Sequence, residues 1–196
     1  MMRVVRLILA SNSPRRRELL KNAGFEFDVQ PSGIEETRLP AESPEDFALR
    51  LARDKALDVA SRSAAGSMVL GADTVVAING EILEKPVDAA DAARMLRTLS
   101  GRTHRVITGI CLVRAPDSIL AWTHETTSVT FRDLSEEEIE DYVRSSEPFD
   151  KAGGYAIQGL ASKFVPRIEG CYFNVVGLPV PRVYEILKTV AECKGR

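Results

Sequence analysis

Ser11–Leu20, reading SNSPRRRELL, is the stretch on which the fold turns. It follows Leu7-Ile8-Leu9-Ala10, an apolar run that reads as a strand, and turns through Ser-Asn-Ser-Pro into an amphipathic segment. Ser13 is a natural N-cap. Pro14 suits the first helical position, where its missing N–H would be unpaired anyway. A strand, a polar turn and a helix N-terminus follow one another, and such an N-terminus favours anions. Arg15, Arg16 and Arg17 oppose the dipole of their own helix, and a bound polyanion would justify them. Arg16 shares a face with Leu19, Leu20 and Ala23, at the mouth of the core-facing stripe. Arg17 and Lys21 share a solvated face, and Arg15 can point over the turn. The plainer alternative is an exposed basic cluster that aids solubility.

The whole chain bounds the reading. Its 196 residues suffice for one folding unit, 1–196, with two lobes. A net charge of -2 gives no global field for a nucleic-acid duplex. No apolar run approaches the ~18 residues of a membrane span, and the N-terminal apolar run is too short for a signal peptide. Cys111, Cys171 and Cys193 are scattered in no metal spacing, which fits a reduced cytoplasmic protein. His104 and His124 show no ligand spacing.

Outward from the opening, strands alternate with helices. The pattern predicts a strand over 4–10, a helix over 14–23 ended by Gly24, and a strand over 25–30. A polar loop over 31–40 carries Glu35 and Glu36. Ser43-Pro44-Glu45-Asp46 opens a helix to about Ala60. Its apolar stripe holds Phe47, Ala48, Leu51, Ala52 and Val59, with Lys55 in the middle. A lysine there either snorkels to the rim or aims a cation at a phosphate. Met68–Ile78, MVLGADTVVAI, is apolar on both faces, as in a central strand. Asp73 and Thr74 interrupt it, and a carboxylate there should bind a metal, pair with a cation or act as a base. Asn79-Gly80 is a two-residue hairpin turn that brings Glu84 and Lys85 back towards Asp73. A helix capped by Asp88 runs to Leu99. Strands over 104–114 and 119–131 form a hairpin, and a capping box at Ser135 opens a helix to about 145. The glycine-rich 147–159 loop offers Asp150, Lys151 and Gln158 near a ligand. A strand over 164–168 and a helix over 183–193 close the chain.

The chemistry is narrowed by what is missing. There is no P-loop, no G-x-G-x-x-G, no G-x-S-x-G elbow and no Cys/His nucleophile pair. The remaining charged set comprises Arg15, Arg16, Lys55, Lys85 and Lys151 with Glu35, Glu36, Asp73 and Glu84. Cations would clamp phosphates, and carboxylates would hold a hard divalent ion and take a proton from water. That points to metal-assisted hydrolysis of a phosphoanhydride.

S-x-S-P-R-R at 11–16, G-A-D-T at 71–74, E-K-P at 84–86, L-S-G-R-T-H at 99–104, E-P-x-D-K-A-G at 147–153 and V-G-L-P at 176–179 resemble the Maf family of nucleotide pyrophosphatases. The resemblance covers nearly the whole chain with the motifs in family order. It implies an α/β fold similar to inosine triphosphate pyrophosphatases: an elongated, mixed, twisted sheet flanked by helices, in two lobes with a central cleft. It also implies a homodimer. Arg15, Thr74 and Gln158 resemble the branch that hydrolyses dTTP and UTP to the monophosphate and pyrophosphate. The branch acting on 7-methyl-GTP carries a tryptophan after the proline instead. Carried over, Asp73 is the general base. Glu36 and Asp73 are metal ligands for Mg²⁺ or Mn²⁺, with Glu35 a less certain neighbour. Ser11, Arg15, Arg16, Lys55 and Lys85 hold the triphosphate, and Gln158 pairs with a pyrimidine edge. Two alternatives stay open. Asp73 binds the metal while Glu36 or Glu84 activates water, or the chain is a nucleotide-binding regulator of cell division.

Overall fold

The computed structural model describes residues 7–192. Residues 4–6 of the expected first strand, and Cys193 in the expected last helix, lie outside them. Three strands and two helices open the chain: β1 (Leu7–Leu9), α1 (Pro14–Asn22), β2 (Phe27–Val29), α2 (Pro44–Ser61) and β3 (Met68–Ile78). Then come β4 (Glu81–Leu83), α3 (Ala89–Leu99), β5 (Thr103–Arg114), β6 (Ser118–Thr130) and α4 (Glu136–Arg144). Three short 3-10 turns, Glu147–Asp150, Ala152–Gly154 and Leu160–Phe164, lead to β7 (Arg167–Glu169), α5 (Tyr172–Val176) and α6 (Val180–Glu192).

Seven strands form one mixed sheet in the order β2-β1-β3-β5-β6-β7, with β4 also on β3. β1 runs parallel to β2 and β3, and the remaining pairs are antiparallel. The local signals acted as expected. Ser13, Ser43 and Asp88 each accept a backbone N–H as N-caps, and Ser135 with Glu138 forms the capping box. Asn79 and Gly80 take φ of 52° and 82°, the positive values a type I′ hairpin needs.

Strand alternation divides the core. Val69, Val75 and Ala77 of β3 face α2, where they meet Ala52, Ala56 and Val59 or Phe47, Ala48 and Leu51. On the opposite face, Met68, Leu70 and Ala72 pack with α1 residues and Val183 of α6. Further along that face, Val76 and Ile78 pack with α3 and α4 residues. Two cores thus sit towards the two ends of β3, with Thr74 between them.

The same midpoint is where the sheet opens. β1 pairs only with 68–70 of β3, and β4 only with 76–78. Residues 71–75 therefore face a notch between two short strands, while their other edge is zipped to β5. The segments leaving β1 and β4, Ala10–Arg16 and Glu84-Lys85, line it.

The departures lie near the C-terminus. The strand expected over 164–168 is displaced: Leu160–Phe164 makes a 3-10 turn that buries Phe164, and pairing begins only after Pro166, which has no N–H for a ladder. The last helix starts at Val180 rather than 183, because Pro181 is tolerated in a first turn, and Val183 N–H already donates to Pro179 O at 3.1 Å. The five residues of α5 carry no periodicity long enough to read.

Candidate active site

The notch opens into a cleft of about 590 Å³, a volume suited to a small-molecule ligand. At its floor Lys55 does not snorkel. Its side chain is buried, with Nζ 2.6 Å from Asp73 Oδ1 and 2.6 Å from Glu36 Oε1. Two glycines bring α2 this close to the sheet. A Cβ on Gly71 would stand 2.1 Å from Ala52 O, and one on Gly109 would stand 2.2 Å from Ala48 O. Gly109 is the ladder partner of Asp73 itself. The small face of α2, Ala48, Ala52 and Ala56, completes the fit.

Burial pushes the Asp73 carboxyl above the usual carboxylate value, against the pull of Lys55 and Arg16, with Glu36 adding to the rise. Burial also pushes Glu36 upwards, but the hydrogen bond and charge of Lys55, with Lys85 and Arg16 behind them, bring it below its ordinary value. The pair is thus split, with Asp73 the more basic carboxylate, as acid–base work requires.

Arg16 lies on the opposite face of β3. It is buried, and its guanidinium ties β3 to the turn at Ser11 and to Gly177 after α5. Nε donates to Gly177 O at 2.8 Å, Nη1 to Ala72 O at 2.8 Å and Ser11 Oγ at 3.2 Å, and Nη2 to Thr74 Oγ1 at 2.9 Å. Four of its five N–H donors are therefore engaged by protein oxygens. Thr74 Oγ1 continues to Thr108 Oγ1 at 2.9 Å, and Thr108 donates to Asn174 O at 3.3 Å. Sequence reasoning missed Thr108, Asn174 and Gly177 in this chain of contacts. A strand threonine and a five-residue helix carry no signal of their own, whereas Gly71 and Gly109, isolated inside strands, do signal a close backbone approach.

The other expected residues line the same cleft. Arg15 reaches across its mouth to Asp150 at 3.4 Å. Glu84, Lys85 and Gln158 are exposed along the rim. Lys151 lines the cleft but is engaged by Asp150 and by Glu147 O at 2.7 Å. Glu36 lines the cleft and Glu35 does not. Tyr155 forms part of the wall, and its hydroxyl meets His104 Nε2 at 2.8 Å. Burial pushes His104 down to about 4, so it is neutral near pH 7. Among the described residues no group of three or more His, Cys, Asp or Glu side chains could hold a metal. Cys111 and Cys171 are free thiols. No described helix is long and apolar enough to cross a membrane.

The chain has relatives among known proteins. A dTTP/UTP pyrophosphatase of Koribacter versatilis is 53% identical over 182 residues, covering 93% of each chain. One of Geobacter sulfurreducens is 53% identical over 94% of this chain and 96% of its own. One of Escherichia coli K12 is 51% identical over 92% of this chain and 91% of its own. Among solved structures, a HAM1 protein from Coxiella burnetii is 21% identical with a TM-score of 0.44, over 65% of this chain and 73% of its own. A dITP/XTP pyrophosphatase from Mycobacterium abscessus is 18% identical with a TM-score of 0.40, over 66% and 75%. The family model described as Maf-like protein matches residues 6–190, and the chain belongs to the Maf family.

Proposed function

We propose that this chain is a nucleoside triphosphate pyrophosphatase acting on dTTP and UTP. Relatives that are about half identical over nearly their full length carry that name. The observation that carries the reading is Asp73: a buried carboxylate of raised basicity, beside a lysine, in a notch rimmed by cations. The Asp73 carboxylate takes a proton from water, the water oxygen bonds to the α-phosphorus, and the bond from that phosphorus to the β-bridging oxygen breaks. Pyrophosphate leaves with that electron pair, and the nucleoside monophosphate remains. Arg15, Lys55 and Lys85 face the triphosphate, Ser11 and Arg16 shape its seat, and Gln158 offers both a donor and an acceptor to a pyrimidine edge. Thr74 is the third residue of the selecting set.

Glu36 and Asp73 suit a hard divalent ion. Both present carboxylate oxygens to one point, now held by the Lys55 ammonium. Mg²⁺ needs only one or two carboxylates when substrate phosphates complete its shell. These two residues would hold Mg²⁺ or Mn²⁺, which when bound offsets phosphate charge and makes water more acidic. The reading extends to a cytoplasmic homodimer, in keeping with the free thiols of Cys111 and Cys171. Sedimentation at micromolar concentration tests the dimer.

The deciding assay supplies Mg²⁺ or Mn²⁺ with each nucleoside triphosphate and separates pyrophosphate from orthophosphate. Pyrophosphate from dTTP and UTP supports the reading, and orthophosphate with a nucleoside diphosphate refutes it. Asp73→Asn should abolish turnover while nucleotide binding persists. An active Asp73→Asn protein removes Asp73 from the role of base.

A further inference from the structure

Lys55 contacts both carboxylates that would hold the metal, and that arrangement has a consequence for the order in which the site fills. Its stem is fixed in α2 among Leu51, Ala52, Ala56 and Val59, all buried, and α2 is seated on the sheet by Gly71 and Gly109. The ammonium therefore has a short reach, and it is spent on Asp73 Oδ1 and Glu36 Oε1, each at 2.6 Å. Glu36 belongs to neither helix nor strand, and its side chain is 48% exposed, with Lys55 the cation it meets over the notch.

We infer that Lys55 is a placeholder cation, which keeps a divalent ion off Glu36 and Asp73 until nucleotide phosphates draw the ammonium away. This rests on the pyrophosphatase reading. An ammonium and a divalent ion cannot share one pair of carboxylate oxygens, because like charges at that distance repel strongly in a partly buried setting. Without phosphate the ammonium wins by being covalently anchored, and it offsets part of the carboxylates' charge with Arg16 behind it. When a triphosphate enters, its oxygens offer Lys55 an alternative anion. The two freed carboxylates and the phosphates together then supply the oxygen ligands that a hard ion requires. Metal and nucleotide thus load together, and the buried Asp73 is never left without a cation.

The test measures binding of Mn²⁺ alone, by the electron paramagnetic resonance of the free ion, on the full chain without nucleotide. Lys55→Met should bind Mn²⁺ at least tenfold more tightly than the wild type. Lys55→Gln, which keeps a donor for Asp73 but no charge, should gain similarly and serves if the methionine variant does not fold. Lys55→Arg, which keeps the charge, should gain nothing, and adding Glu36→Gln to Lys55→Met should erase the gain. Folded Lys55→Met and Lys55→Gln proteins that bind Mn²⁺ no better than the wild type overturn the inference, as does an equal gain in Lys55→Arg. A wild type that releases pyrophosphate from dTTP or UTP while these variants gain no Mn²⁺ affinity refutes the placeholder alone. A wild type that releases none refutes the function on which it rests.

Discussion

Gly109→Ala tests whether the close seat of α2 on the sheet is what lets Lys55 reach Asp73. The new methyl would stand 2.2 Å from Ala48 O, 2.5 Å from Ala48 C and 2.8 Å from Leu49 N, all backbone atoms of α2. No rotamer change relieves such a contact, so the helix must retreat by more than about 1 Å to bring 2.2 Å to the 3.4 Å of ordinary van der Waals contact. Overpacking of this kind costs about 1–3 kcal/mol, or roughly 3–10 °C in melting temperature for a chain of this size. The retreat carries Lys55 with it, two turns along the same helix. A misplacement of about 1 Å in a catalytic constellation lowers turnover by roughly a hundredfold. The assay is pyrophosphate release from dTTP and UTP beside a thermal melt. A Gly109→Ala protein that turns over within about threefold of the wild type, whether or not its melting point falls, refutes the argument that this glycine sets the Lys55–Asp73 contact.

His104 makes stability depend on pH. Its folded value near 4 lies below the ordinary 6.5, so the unfolded chain binds the extra proton and stability falls as pH drops through that window. From pH 7 to pH 5 urea titrations should lose roughly 2 kcal/mol, and His104→Gln should flatten that slope, whereas an unchanged slope removes His104 as the cause. Arg16→Lys separates a structural tie from a phosphate clamp. Lysine cannot span Gly177 O, Ala72 O and Thr74 Oγ1 at once, and losing two charged hydrogen bonds should cost on the order of 3 kcal/mol. Lost turnover with an unchanged melting point would instead assign its donors to substrate.

The sequence reading succeeded where a local pattern had one physical solution. The caps at Ser13, Ser43, Asp88 and Ser135, the Asn79-Gly80 turn and the two-faced apolar run of β3 each point one way, and the structure follows them. Asp73 and Lys55 stood out because a charge in an apolar stripe needs a partner, though the spacing could not name it. Periodicity fails for α5 and for the 3-10 turns, which are too short to show a repeat, and for β7, where Pro166 and the burial of Phe164 decide the register. The notch itself was hidden. It exists because β1 and β4, both short, share one edge of β3 and leave residues 71–75 between them, and strand pairing of that kind is a tertiary fact.

That edge also explains how one strand serves two tasks. Successive residues of β3 point to opposite faces, so Asp73 turns to α2 and Lys55 while Thr74 turns to Arg16 and Thr108. The carboxylate chemistry and the threonine–arginine seat are thereby separated by the thickness of the sheet, yet they meet at the notch, where β3 is the edge of the sheet. On the proposed function, a triphosphate lying in the notch would reach both. The Thr74 hydroxyl accepts from Arg16 and meets Thr108, so on the proposed function it would bear on the substrate through the position of the Arg16 guanidinium. On the proposed function, a change at Thr74 would then alter the seat of the substrate on one face of β3, while Asp73 and the groups around it lie on the other. On that reading, selectivity can vary on one face of β3 without disturbing the acid–base chemistry proposed for the other.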